Sequence, residues 1–139
     1  MFYRIFRRKI IRYRRRRLPK NRSDYLVRKE SARVLAIERL AYFTREYVRL
    51  NPEHEIAMKY VRVSVRNQLS RWGSCSSKKN LNFNYRILDL SPELRDYIIV
   101  HELCHLKELH HGKTFWDLME IMIPQAKKFH HEVRKIKLS

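Results

Sequence analysis

The 139-residue chain reads as an α+β domain, and three observations predict that class. Residues 23–50 repeat apolar side chains at three- and four-residue spacings, the period of a long amphipathic helix. Two later runs alternate strictly, Val61, Val63, Val65 and Leu81, Phe83, Tyr85, the period of half-buried strands. After them Ser91-Pro92-Glu93 supplies an N-cap, a proline at the first helical position and an acid in the first turn, so a second helix begins at Pro92.

Taken in order, residues 1–22 come first, holding nine Arg and two Lys with no acid, so eleven of the net +18 charges sit there and seven are left for the remainder. Self-repulsion in the run Arg14, Arg15, Arg16, Arg17 predicts a mobile basic arm, with residues 23–139 as the folded domain. Those four arginines are candidate phosphate contacts for nucleic acid, and Tyr3, Phe6 and Tyr13 between the charges are candidate stacking groups. The competing reading is a solvated tail. The helix of residues 23–50 ends at Asn51-Pro52. The alternating runs, joined through a turn at Gly73, predict a small antiparallel sheet. Gly112 closes the helix that starts at Pro92, and residues 115–138 read as a C-terminal helix interrupted at Pro124. His130 and His131 in that helix read as a solvated surface pair.

Composition excludes several classes. With 44% hydrophobic and 33% charged residues the chain has the balance of a soluble globular domain. No apolar run reaches membrane-spanning length, and Arg or Lys interrupts the N-terminus too often for a signal-peptide core. Two cysteines, Cys75 and Cys104, are too few for a disulfide framework. A reducing cytoplasm is the expected location.

The chemistry concentrates in Val100-His101-Glu102-Leu103-Cys104-His105-Leu106. H-E-x-x-H on a helix puts two imidazoles one turn apart on one face with a carboxylate beside them. Tyr97, Ile98, Ile99, Val100, Leu103 and Leu106 surround the axis with apolar groups, so the helix is buried and its charges need partners. One metal ion, Zn2+, is the simplest partner. Catalytic zinc takes three protein ligands and leaves a position for water. His111, six residues after His105 and just before Gly112, is the expected third ligand. Glu108, which an unbroken helix would bring to the same face, and His110 are the alternatives.

In that arrangement Glu102 takes a proton from a zinc-bound water as it attacks a peptide carbonyl, then delivers the proton to the leaving amine. Tyr85, Arg86 or His110 are candidate donors to the oxyanion. Asn82, Asn84, Tyr85 and Arg86, on the second alternating run, are candidate substrate contacts if an extended peptide adds to a free sheet edge there. The alternative function is a nucleic-acid-binding protein with a structural or vestigial zinc site. A cysteine hydrolase built on Cys75 or Cys104 is a third, with no surrounding sequence to support it.

Four blocks carry a family resemblance: Arg71-Trp72-Gly73-Ser74-Cys75-Ser76; Leu81-Asn82-Phe83-Asn84-Tyr85-Arg86; Tyr97 through Leu106; and His111-Gly112-Lys113 with Phe115-Trp116. In this order they resemble the YgjP-like metallopeptidases, relatives of the SprT-like zinc proteases. The resemblance implies His101, His105 and His111 as zinc ligands and Glu102 as the catalytic residue. It also implies a compact zincin-like domain, with a helix pair carrying the site beneath a small sheet, acting on protein or peptide substrates. SprT-like relatives are associated with proteolysis of DNA-bound proteins, which gives the basic arm a second motive.

Overall fold

The computed structural model describes residues 22–138. The basic segment before them, including Arg14 to Arg17, lies outside the described residues. The helix expected from periodicity is α1, Arg22–Leu50. It turns one face inward through Ala32, Ala36, Leu40, Phe43 and Tyr47, a stripe whose spacings of three and four keep it on one side of the axis. Asn51 caps its end, with backbone and side-chain N–H groups both donating to Tyr47 O at 3.0 Å.

Two ion pairs fasten α1 to the rest of the fold. Arg28 donates to Asp89 at 2.8 Å, and Arg39 makes a two-pronged contact with Asp96 at 2.9 Å for both prongs. Partly exposed pairs of this kind are each worth about 0–1 kcal/mol. A fully buried Leu40 or Phe83 contributes about 1.5–3 kcal/mol. Packing therefore holds α1 in place, and the ion pairs fix its register.

Three strands follow: β1 (Arg62–Arg66), β2 (Gly73–Cys75) and β3 (Asn80–Asn84). Their order is β1-β3-β2, with β3 parallel to β1 and antiparallel to β2. The sheet is therefore mixed, which corrects the antiparallel sheet expected from sequence. The alternation holds at Val63, Val65, Leu81 and Phe83, while Val61 is exposed ahead of β1 and Tyr85 begins the 3-10 turn after β3. Gly73-Ser74-Cys75 is a third strand, so the turn expected at Gly73 is a strand start. The chain passes through β2 before it enters β3, and β2 takes the far flank, which leaves β3 running parallel to β1 in the middle. The β2–β3 turn closes with Lys79 N–H donating to Ser76 O at 2.9 Å and Lys79 in the left-handed region at φ 61°.

A 3-10 turn over Tyr85–Asp89 leads to α2, Pro92–His105, whose N-cap Ser91 accepts from Leu94 N–H. This helix is the centre of the domain, touching α1, β2, β3 and the two helices that follow. Those are α3, Lys113–Met122, and α4, Ala126–Arg134. The break at Pro124 is real: Gln125 is left-handed at φ 65°, and both carboxylate oxygens of Glu120 accept from the Gln125 and Ala126 N–H groups that start α4. None of the described helices is long and apolar enough to cross a membrane.

Candidate metal centre

Helix α2 stops at His105, with Leu106 as its C-cap, and the chain runs through residues 106–112 before α3 begins. That early stop decides which side chain meets the two histidines. Glu108 is off the helix: its carboxylate accepts from Thr114 Oγ1 at 3.1 Å, and its backbone oxygen sits 2.9 Å from His105 Nδ1. His110 is exposed on the same loop and stands apart from the cluster. His111 instead folds back, with Nε2 at 3.1 Å from His101 Nε2 and 2.9 Å from His105 Nε2.

Three ring nitrogens this close can share one cation. A carbonyl oxygen can only accept, so the proton of the His105 ring is on Nδ1 and its Nε2 presents a lone pair. Burial lowers the pKa of His105 below the ordinary histidine value. Burial also lowers His111, and the neighbouring His101 and His105 add to the effect. Neutral imidazoles with convergent lone pairs are the form that binds a metal. Ligand atoms about 2.0–2.1 Å from a tetrahedral ion stand roughly 3.3–3.4 Å apart, close to the separations seen. Among the described residues no fourth His, Cys, Asp or Glu joins the three. The donor set therefore fits an open, three-ligand metal site rather than a closed structural one.

Phe115 on α3 forms the floor. Wholly buried, it stacks on His105 with centroids 4.6 Å apart and meets His101 and His111 edge-on at 5.1 and 4.9 Å. Opposite, Glu102 is 5% exposed and accepts from His101 Nδ1–H at 3.2 Å. Gly73 at the start of β2 presses against it. A Cβ there would lie 2.9 Å from Glu102 Cγ and 3.1 Å from its Oε1, closer than real side chains come. The glycine is needed for space, since only its hydrogen lets β2 approach the carboxylate.

The expected substrate residues on β3 are placed differently. β3 has a strand on each side, so it offers no free edge for a peptide. Asn84 is wholly buried: its Nδ2 donates to Gln68 O at 2.6 Å and Arg71 O at 3.0 Å, and its Oδ1 accepts from Arg86 N–H. Tyr85 is 1% exposed, edge-on to Tyr25 with Arg28 over its ring. Arg86 donates to Asn67 Oδ1 at 2.7 Å and to Gln68 O. Asn84 and Arg86 brace the loop of residues 67–71, and Tyr85 packs against α1, so the polar groups of Asn84 and Arg86 have partners within the fold. Asn82 is half-buried, with an Oδ1 that has no hydrogen-bond partner.

The free edge beside the site belongs to β2. Asn84 N–H donates to Trp72 O and Ser76 N–H to Asn80 O, so residues 72, 74 and 76 face β3 and the backbone groups of Gly73 and Cys75 point to the open side. The thiols are poor nucleophiles. Burial and the nearby Glu102 push Cys75 up to about 11 against a small opposing effect of Lys79, and Cys104 is driven higher by near-complete burial. That removes the cysteine hydrolase reading.

Sequence reasoning missed Gly73 as a site residue, and it missed Tyr97 and His130. Tyr97 is one turn before His101 and so shares its face, a signal present in the spacing. His130 was read as a solvated surface residue. It is half-buried, and its ring lies edge-on to Trp116 at 5.1 Å. No local pattern marks it.

A buried helix presenting two imidazoles and a carboxylate, completed by a third imidazole from the following loop, is the constellation of a metal-dependent hydrolase. The chain matches the model of the YgjP-like metallopeptidase domain over residues 5–136, and it belongs to that family. It is a metallopeptidase. The matched span takes in most of the basic N-terminal segment. Among solved structures it is similar to the metallopeptidase zymogen of Pyrococcus abyssi abylysin, at 23% identity and a TM-score of 0.51, covering 76% of this chain and 91% of that one. That likeness shows a shared fold. No curated protein matches the sequence.

Proposed function

We propose that the protein is a zinc-dependent metalloendopeptidase in which His101, His105 and His111 hold one ion and Glu102 is the general base. The observation that carries this reading is the meeting of three Nε2 atoms, 2.9 and 3.1 Å apart, next to a buried carboxylate. When bound, the ion supplies Lewis acidity, lowering the pKa of a coordinated water and polarising the carbonyl.

The chain's own residues do the rest. An extended peptide pairs with the open edge of β2 through the outward N–H and C=O groups of Gly73 and Cys75. This replaces β3 as the substrate strand. Glu102 accepts a proton from water as the water oxygen bonds to the scissile carbonyl carbon. It returns that proton to the amide nitrogen as the C–N bond breaks, releasing a carboxylic acid and an amine, which exchange a proton to become carboxylate and ammonium. His101 Nδ1–H hydrogen-bonds to Glu102 Oε1, which orients both groups. In this reading residues 23–139 are the catalytic domain, working in the cytoplasm. The arm of residues 1–22, Arg14 to Arg17 included, draws it toward polyanions such as nucleic acid, an attraction that falls steeply with salt.

Metal analysis and a casein cleavage assay on three proteins test the proposal. Wild type is expected to carry one zinc per chain and to cut casein, and His111→Ala to lose the zinc. Glu102→Gln is expected to keep zinc while cleavage falls by about 10²–10⁴-fold. Full cleavage by Glu102→Gln, or a wild type without stoichiometric zinc, rejects the mechanism.

A further inference from the structure

Next to the three histidines stands a pair that the scheme above leaves unused. Tyr97, one turn ahead of His101 on α2, is 2% exposed and its ring tilts against the His101 ring with centroids 5.8 Å apart. Its hydroxyl lies 2.8 Å from His130 Nδ1, across from α2 to α4. The phenol donates to the ring nitrogen in the tautomer that carries the His130 proton on Nε2, and that tautomer leaves an N–H directed away from Tyr97. The ring is held on a second side by Trp116, which in turn lies 6.3 Å from His111. His130 is therefore a half-buried imidazole held on two sides, near the ligand histidines, with its Nε2 uncommitted to the pair.

Hydrolysis of a peptide develops negative charge on the carbonyl oxygen, and a preorganised donor aimed at that oxygen is worth about 10²–10³-fold in rate. Tyr85 and Arg86 are committed elsewhere, and His110 is exposed and apart from the cluster. We propose that His130 donates from Nε2–H to the scissile carbonyl oxygen as charge builds on it, with Tyr97 as its positioning residue. The inference rests on the peptidase reading and gives that site its missing donor. It makes the C-terminal helix part of the catalytic apparatus, in place of the solvated surface read from sequence.

The test uses the zinc-loaded full-length protein and N-phosphoryl-leucinamide, whose tetrahedral phosphoryl oxygens mimic the charged intermediate, with binding measured by calorimetry. His130→Ala is expected to bind it about 10²-fold more weakly and to lose a similar factor in kcat on casein. KM, zinc content and the unfolding midpoint stay those of wild type. His130→Gln, which keeps an N–H, recovers part of the loss. Tyr97→Phe, which keeps the ring and frees the imidazole, loses about tenfold. Unchanged phosphoryl affinity in a zinc-loaded His130→Ala overturns the proposal, as does a zinc-loaded wild type that cuts casein yet does not bind the compound. If His130→Ala loses zinc or its fold, Tyr97→Phe decides: full affinity there overturns the proposal. A wild type that neither holds zinc nor cuts casein instead fails the peptidase reading itself.

Discussion

β2 and β3 are hydrogen-bonded neighbours with opposite duties. β3 is five residues long, sits between two strands and turns Leu81 and Phe83, both wholly buried, into the core. β2 is three residues long, partly exposed, open on one side and pressed against Glu102. The strand with the stronger sequence pattern is the structural one, and the short strand built on a glycine faces the chemistry. A regular alternation records burial on one face, so it favours central strands. A strand that leaves one edge open and a gap for a carboxylate has little room for pattern.

Substitutions on the two strands sharpen that contrast. The largest effect is expected from Gly73→Ala on β2. Its methyl group must displace the Glu102 carboxylate, and a misplacement of about 1 Å costs on the order of 10²-fold in kcat. Zinc content is expected to stay at one per chain, and Gly73→Ala with wild-type kcat would break the assignment of β2 to the site. Next comes Asn84→Ala on β3, which removes the partner of the Gln68 and Arg71 carbonyls and of the Arg86 N–H. The expected cost is about 1–3 kcal/mol in chemical denaturation, with kcat on the folded protein close to wild type. A catalytic defect without a stability loss would return β3 to the substrate site. The smallest effect is expected from Cys75→Ala. With its thiol raised to about 11 it is protonated near neutrality, and kcat is expected to stay within about twofold of wild type. A large drop would make the thiol part of the chemistry after all.

Most of the proposed ligand set was legible because it is local. His101, Glu102 and His105 lie within one turn and a half of helix, and helical geometry alone puts the two imidazoles on one face. The choice of His111 over Glu108 was half legible. Gly112 marks a chain reversal, but only the stop of α2 at His105 takes Glu108 off the ligand face and gives its backbone oxygen to the His105 ring. The long helix, both alternating strands and the Ser91-Pro92 start were equally local. The parallel pairing of β1 with β3 was not, since it depends on which flank β2 takes and nothing in either strand encodes that.

By itself the sequence determined a buried helix with two imidazoles and a carboxylate on one face, because the 3.6-residue period turns spacing into geometry. It also determined the α+β class and the concentration of charge at the N-terminus. Only the tertiary structure decided which groups surround the metal-binding face. Gly73 lies 29 positions before Glu102, and His130 lies 33 positions after Tyr97. Contacts at such separations are set by how the sheet and the last helix pack on α2, and that packing is a property of the whole core.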